Sequence, residues 1–260
     1  MNDQNKARLE FWNERAALGL AAGSNDMGLK RLEIENICKH LRGCYKILDA
    51  GCGNGITAIN VLKKLPSAKI SAFDYSPQMV EEVIKLREEE GILDDRLEVT
   101  KGDLLAPPFE NRAYDAIYTE RSLINLNSPE EQMLSIAKLA TKLKPGGKLI
   151  ICESFVEGLA EINSFRVPAG LPKIESPWHN TYLSLDWVTK VFPDYLKLNE
   201  VDNFSSTYYF LSRVVNAWIA QNNGEEPSYD SPINNLSFSL PCIGTCAQTK
   251  TVIFSKFQQN

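Results

Sequence analysis

Along the middle of the chain, short apolar runs alternate with stretches whose apolar residues recur every three or four positions. The runs at 46–50, 69–74, 96–101, 114–119 and 148–152 are of strand length and read as five strands. Between the first two, 54–65 carries Ile56, Ile59, Val61 and Leu62 at helical spacing, with Lys63 and Lys64 near its end, and Pro66-Ser67 breaks it. Ser76 and Pro77 open a second helix, serine as N-cap and proline in the first turn. It runs through Met79, Val80, Val83, Ile84 and Leu86 to about Gly91. A third helix is expected at 129–143, closed by the turn Lys144-Pro145-Gly146-Gly147. Strands alternating with helices predict a parallel sheet covered on both faces.

Outside this stretch the pattern is weaker. Ahead of the sheet, 6–20 and 30–41 read as two helices joined by a loop through Asn25 and Asp26. After Ser154, Pro168, Pro172 and Pro177 make 158–179 look like loops. Beyond it, 184–192 suits a short helix, 195–201 a strand, 205–220 a helix and 249–257 a final strand, with 222–241 rich in turns. No repeat or linker divides the chain, so 1–260 is expected to form one α/β domain: a helical cover at 1–44, a core at 45–154, and further segments and last strands at 155–260.

Composition narrows the partners. Of the 260 residues, 28 are Lys or Arg and 33 Asp or Glu, a formal net charge of -5. No basic run appears, so a nucleic acid is not expected as partner. No apolar stretch is long enough to span a membrane, and the polar start of the chain does not read as an export signal. Six scattered cysteines then suit a reducing compartment, the cytoplasm. Cys242 and Cys246 form a CxxxC pair with no second pair or histidine nearby, so no metal site is expected. Nothing in the pattern fixes an oligomeric state.

The strand at 46–50 runs into Asp49-Ala50-Gly51-Cys52-Gly53-Asn54-Gly55 and then a helix. Glycines in such a turn let a ligand approach the backbone, and the helix start offers free N–H groups. Nicotinamide and flavin enzymes share this arrangement, but their G-x-G-x-x-G would need glycine where Ile56 stands. Asp49, ahead of the glycines, suits a cationic amino group better than a pyrophosphate. Asp74 ends the second strand where it can accept from ribose hydroxyls, and Asp103 follows the third strand. Singly, Asp74 or Asp103 would also serve as a capping carboxylate; three acids at successive strand ends beside the glycines point to a nucleotide-like cofactor.

Taken with Phe73-Asp74-Tyr75-Ser76, Gly102-Asp103-Leu104, Tyr114-Asp115 and Leu143-Lys144-Pro145-Gly146-Gly147, the turn resembles the class I S-adenosylmethionine-dependent methyltransferases over about residues 45–154. The resemblance implies a Rossmann-like α/β fold: a seven-stranded, mostly parallel sheet with helices on both faces and the last strand antiparallel, an N-terminal helical lid, and an insertion before the last strand. It implies S-adenosylmethionine as cofactor and S-adenosylhomocysteine as product. Gly51 and Gly53 would lie under the methionine part, Asp74 would hold the ribose, and Asp103 with Leu104 would face the adenine. Glu120 and Arg121 would line the methyl-donor site. Asp49, Cys52, Tyr75 and Met79 complete the implied cofactor set together with two residues of Phe11-Trp12-Asn13-Glu14-Arg15-Ala16, which looks like the lid helix. Arg15 would pair with the methionine carboxylate and Trp12 would shield the site; an ordinary cover helix with Trp12 in a core is the alternative.

Methyl transfer is a direct displacement whose leaving group is neutral, so it rests on alignment and needs a base only where the acceptor must lose a proton. His179, in Trp178-His179-Asn180-Thr181-Tyr182 after the fifth strand, is the candidate base or acceptor ligand, or else a loop histidine. His40, late in a helix, reads as structural. Tyr208, Tyr209 and Arg213 stand where they would cover the acceptor or pack a core. The segments after the fifth and sixth strands mix aromatics with Asn, Ser and Thr, which suits a small polar metabolite, a sugar or specialised compound methylated on oxygen or nitrogen, at least as well as a lipid. Glu120-Arg121-Ser122-Leu123 lacks the Asn/Asp-Pro-Pro-aromatic motif of DNA amino-methyltransferases. A non-catalytic cofactor-binding scaffold and a nicotinamide-linked oxidoreductase are the other readings.

Overall fold

The computed structural model describes residues 3–190 and 195–257; the last two positions of the helix expected at 184–192 lie outside them. Two helices, α1 (Asp3–Ala16) and α2 (Met27–Leu41), precede the sheet, with a short 3-10 turn at Gly19–Ala21 between them. The core follows as β1 (Lys46–Ala50), α3 (Ile56–Lys64), β2 (Lys69–Asp74), α4 (Pro77–Glu89), β3 (Leu97–Lys101), β4 (Tyr114–Glu120), α5 (Pro129–Lys142) and β5 (Leu143–Ser154). Beyond it stand α6 (Val156–Arg166), α7 (Leu185–Lys190), β6 (Leu196–Asp202), α8 (Ser206–Phe210), α9 (Ala217–Asn223), α10 (Pro232–Ser237) and β7 (Thr249–Lys256).

The strands form one seven-stranded sheet in the order β3-β2-β1-β4-β5-β7-β6. β1 to β5 pair in parallel, whereas β7 runs antiparallel between β5 and β6. The strand order reverses between β1 and β4, and ligands of open α/β sheets bind in the crevice outside the strand C-termini at such a point. Both sheet faces are buried. Ile37, Ile47, Ile59, Ile70 and Tyr118 pack on one side, and Leu48, Phe73, Ile117, Leu139 and Phe254 on the other. This explains why the central strands read as apolar runs rather than as alternating ones.

Four expectations are corrected. The stretch 158–179 is not all loop, because α6 occupies its beginning. The buried positions of α6 include Gly158, Ile162 and Arg166, so its inner face carries little apolar periodicity, and the prolines all lie beyond it. A Cβ on Gly158 would stand 2.0 Å from the Ala247 carbonyl oxygen, which is why the helix can lie against that chain only with glycine there. The turn at Lys144-Pro145-Gly146-Gly147 lies within β5, which starts at Leu143 opposite Tyr114 and shifts register before Lys148. The helix expected at 205–220 is α8 and α9 joined by a π-helical stretch, Leu211–Asn216, and α10 falls inside the turn-rich 222–241.

Candidate active site

The glycine turn leaves β1 with Gly51, Gly53 and Gly55 all at positive φ, a conformation side chains resist. At Gly51 (φ +81) a Cβ would lie 2.4 Å from the Ser122 Cβ, so this residue must be glycine for the β1 and β4 turns to meet. Ser122 fixes the junction by donating its hydroxyl to the Ala50 carbonyl at 2.7 Å. Arg121 before it sits at φ +50, and that kink aims the next backbone N–H groups at the buried Glu153 carboxylate, which accepts from Ser122 and Leu123 at 3.0 Å each. A lone glutamate in the apolar end of β5 was the sequence signal for this support.

These turns open on a cavity of about 250 Å³. Twelve of the expected cofactor residues line it: Trp12, Asp49, Gly51, Cys52, Gly53, Asp74, Tyr75, Met79, Asp103, Leu104, Glu120 and Arg121. Asp49, only 2% exposed, accepts the Tyr118 hydroxyl at 2.5 Å. Burial pushes its carboxyl up to about 8, since the hydroxyl compensates only partly. Asp74 accepts from the Gly53 N–H at 2.8 Å and from the Ser76 N–H at 2.9 Å, and burial raises it too. The Tyr75 backbone also acts on this carboxylate, so of its roughly four acceptor sites about one is left for a further donor. Asp103 accepts from the Leu105 N–H at 2.8 Å, so it also braces its own turn.

The cavity floor carries a buried charge network. Lys30 binds Glu120 at 2.7 Å, and the Thr57 hydroxyl donates to the same carboxylate. Burial opposes the ionised form of Glu120, but Lys30 and Arg121 outweigh it and hold this group below the usual range. Beneath them Arg121 faces the fully buried Glu33 at 3.2 Å, and burial drives Glu33 upward.

Helix α1 forms the roof. Trp12 donates its indole N–H to Asn125 at 3.1 Å and packs with Met79, Ala16 and Ala22, so it both lines the cavity and joins a small core. Arg8 donates to Asn127 at 2.5 Å, Ser76 donates to Asn13 at 2.6 Å, and Asn54 donates to the Gly19 carbonyl at 2.6 Å. Arg15 does not reach the cavity: its guanidinium donates to the carbonyls of Ala22 and Ala21 at 2.6 and 2.9 Å, holding the loop after α1.

His179 does line the cavity, with its ring stacked on Phe11 at 4.3 Å between centroids. Burial, then Arg15 and Arg8, push it down to about 4. Tyr208, Tyr209 and Arg213 are brought together elsewhere. Arg213 binds Asp26 at 2.6 Å, the Tyr208 hydroxyl donates to the same carboxylate, and Tyr209 bonds Thr249. Buried among Leu29, Ile162 and Ala247, the tyrosines pack a core and tie α2 to the segment before β7. His40 meets Asp202 at 3.1 Å, where Lys39 and Asn36 also bond the same oxygen. Among the described residues no helix is long and apolar enough to cross a membrane. Sequence reasoning missed Asn5, Arg8, Lys30, Asn125, Asn127, Glu131 and Asn180 in the cavity wall, because none belongs to a local motif.

Comparison with known proteins places these features. Residues 47–147 match a family described as a methyltransferase domain. The chain is 26% identical over 217 residues to the mitochondrial 2-methoxy-6-polyprenyl-1,4-benzoquinol methylase of Caenorhabditis elegans, covering 79% of this chain and 75% of that protein. It is 28% identical over 173 residues to the demethylmenaquinone methyltransferase of Clavibacter sepedonicus, covering 66% of this chain and 59% of that one. The fold matches the structure of the [4+2]-cyclase SpnF with a TM-score of 0.58 at 18% identity, covering 87% and 81% of the two chains.

Proposed function

The chain belongs to the class I S-adenosylmethionine-dependent methyltransferases, and from that premise we propose that it transfers a methyl group to an oxygen or nitrogen of a small polar molecule. One observation carries the cofactor part. Three carboxylates, at the ends of β1, β2 and β3, surround one cavity with the glycine turn between them. Asp49 is a buried acid whose bonded partner is a neutral hydroxyl, and an ammonium group would supply the missing opposite charge. Asp74 keeps an acceptor site for a ribose hydroxyl, and Asp103 with Leu104 offers an acceptor and an apolar wall for the adenine. These residues fit S-adenosylmethionine, which supplies an electrophilic methyl on a sulfonium and departs as a neutral thioether.

The chain's own contribution is then alignment and exclusion of water. Trp12 and Met79 close the roof, while the paired charges of Lys30, Glu120, Arg121 and Glu33 hold the floor rigid. Because the cofactor would leave as a neutral thioether, the chain would have to align the acceptor lone pair and need supply no acid. His179, held near 4, is neutral at physiological pH and a weak base, which suits an acceptor ligand better than a proton abstractor. The small polar acceptor, with a sugar or specialised metabolite in that class, is supported by the amide-rich wall of Asn5, Asn125, Asn127 and Asn180. A second reading, an electron-rich quinol carbon as acceptor, is favoured by the names of the two relatives and by the Trp12 and His179 rings at the wall. Unpaired thiols suit a reducing compartment such as the cytoplasm.

Calorimetry with S-adenosylhomocysteine and NADH tests the cofactor: tight NADH binding with no adenosyl compound bound would sink the reading. An acceptor screen for S-adenosylhomocysteine release, with hydroxylated and amino metabolites against menadiol, then separates heteroatom from carbon acceptors and both from a non-catalytic scaffold.

A further inference from the structure

Three polar atoms at one end of the cavity are buried and have no hydrogen-bond partner among the described residues: Arg8 Nε, His179 Nδ1 and Asn180 Oδ1. Leaving such atoms unpaired costs about 1–3 kcal/mol each, so a native fold keeps them where a ligand completes the set. They belong to the lid α1 and to the loop after α6, and none belongs to the strand ends that carry Asp49, Asp74 and Asp103.

Their charge identifies the ligand. Three cations line the cavity. Lys30 is paired with Glu120 and Arg121 with Glu33. Arg8 is 5% exposed and, among the described residues, bonds only neutral acceptors, the Asn127 side-chain amide oxygen and the Thr181 hydroxyl. The nearest carboxylate acting on it, Glu131, is itself engaged by the Asn127 side chain and backbone at 2.9 Å each. His179 beside it feels Arg8 and Arg15, both cations. Phe11 stacked on the imidazole, together with Trp12 and Trp178 edge-on to it, fixes the plane of that ring. A desolvated guanidinium with a free N–H, in a positive field beside a neutral imidazole, is a seat for an oxyanion.

We propose that Arg8, His179 and Asn180 hold an oxyanion of the methyl acceptor, a carboxylate or an ionised phenol, so that the enzyme's acceptors are anionic. Arg8 Nε and one imidazole nitrogen flank the oxyanion, and Asn180 Oδ1 accepts from a neighbouring hydroxyl or amine. The inference rests on the methyltransferase reading but makes a separate claim. The one other source of the same chemistry is the cofactor's own carboxylate.

The test uses the full chain and calorimetry. S-adenosylhomocysteine is titrated first, into the wild type, Arg8→Gln and Arg8→Lys, with each variant's Tm checking its fold. Carboxylate–amide twins (4-hydroxybenzoate with 4-hydroxybenzamide, benzoate with benzamide, glycolate with glycolamide) are then titrated into the S-adenosylhomocysteine-loaded proteins. Expected is at least a tenfold preference of the wild type for one or more carboxylates. That preference should vanish in Arg8→Gln and survive in part in Arg8→Lys, with S-adenosylhomocysteine affinity changed by less than threefold. Equal binding, or no binding, of every twin pair overturns the anionic seat. A tenfold loss of S-adenosylhomocysteine affinity in Arg8→Gln assigns the seat to the cofactor's carboxylate and overturns it as well. Failure of the wild type to bind S-adenosylhomocysteine at all would instead refute the methyltransferase reading.

Discussion

The two ends of the cavity are built in different ways. At the proposed cofactor end, Asp49 and Asp74 lie at the ends of β1 and β2 and Asp103 just past β3, and pairing of β1 with β2 and of β2 with β3 fixes their spacing. At the opposite end, Arg8 reaches Asn127 across 119 positions of sequence and Thr181 across 173, and no strand ladder joins the three. The first end is held by backbone hydrogen bonds and a packed sheet, the second by side-chain bonds between a lid and a loop. An invariant cofactor can be met by a rigid frame, whereas acceptor choice is set by the part of the molecule that costs least to rearrange.

The strongest way to separate the two ends is Gly158→Ala. The added Cβ would meet the Ala247 backbone carbonyl at 2.0 Å, forcing α6 off the chain leading into β7. A loss of about 3 kcal/mol, roughly 6–12 °C in Tm, is expected, with S-adenosylhomocysteine affinity of the folded protein kept within threefold. Loss of that affinity would mean the ends are not independent. Next in size, Asp49→Asn should weaken S-adenosylmethionine binding by about 30-fold, the equivalent of about 2 kcal/mol for a charge-assisted bond. The same substitution tests the buried acid through pH. A carboxyl raised to about 8 in the fold, against an unfolded value near 4, binds more protons folded than unfolded between those values. Wild-type stability therefore falls as pH rises through that window. The Tm of Asp49→Asn should gain on the wild type from pH 5 to pH 8.5, and a constant difference would refute the raised value.

Smaller effects are expected at the lid. Trp12→Ala removes the indole bond to Asn125 and the packing on Met79, and a three- to tenfold rise in KM for the cofactor is expected, about 1 kcal/mol. The smallest is a null result. With His179 held near 4, the pH profile of kcat should show no imidazole inflection between pH 6 and 8, and one that His179→Ala removes would restore the base role.

How far the chain's own pattern reached follows the same division. The five parallel strands, the glycine turn and twelve cavity-wall residues were readable because each is local: a strand end, a turn, a helix cap. Arg15 was legible as a lid cation but not in its destination, since only the folded chain shows the Ala21 and Ala22 carbonyls within its reach. Helix α6 escaped notice because glycine and arginine stand on its buried face. Tyr208, Tyr209 and Arg213 gave no sign that Asp26, 182 and 187 positions away from Tyr208 and Arg213, would claim two of them.

By itself, then, the sequence determined the parallel core of the sheet and the turn and strand-end acids that line the cavity, because hydrophobic period and turn chemistry act between near neighbours. The tertiary structure alone decided which of three lining cations stays unpaired. Lys30 and Arg121 meet carboxylates from other elements and Arg8 meets none, among the described residues, and that outcome depends on how a helix from the start of the chain settles over loops far along it.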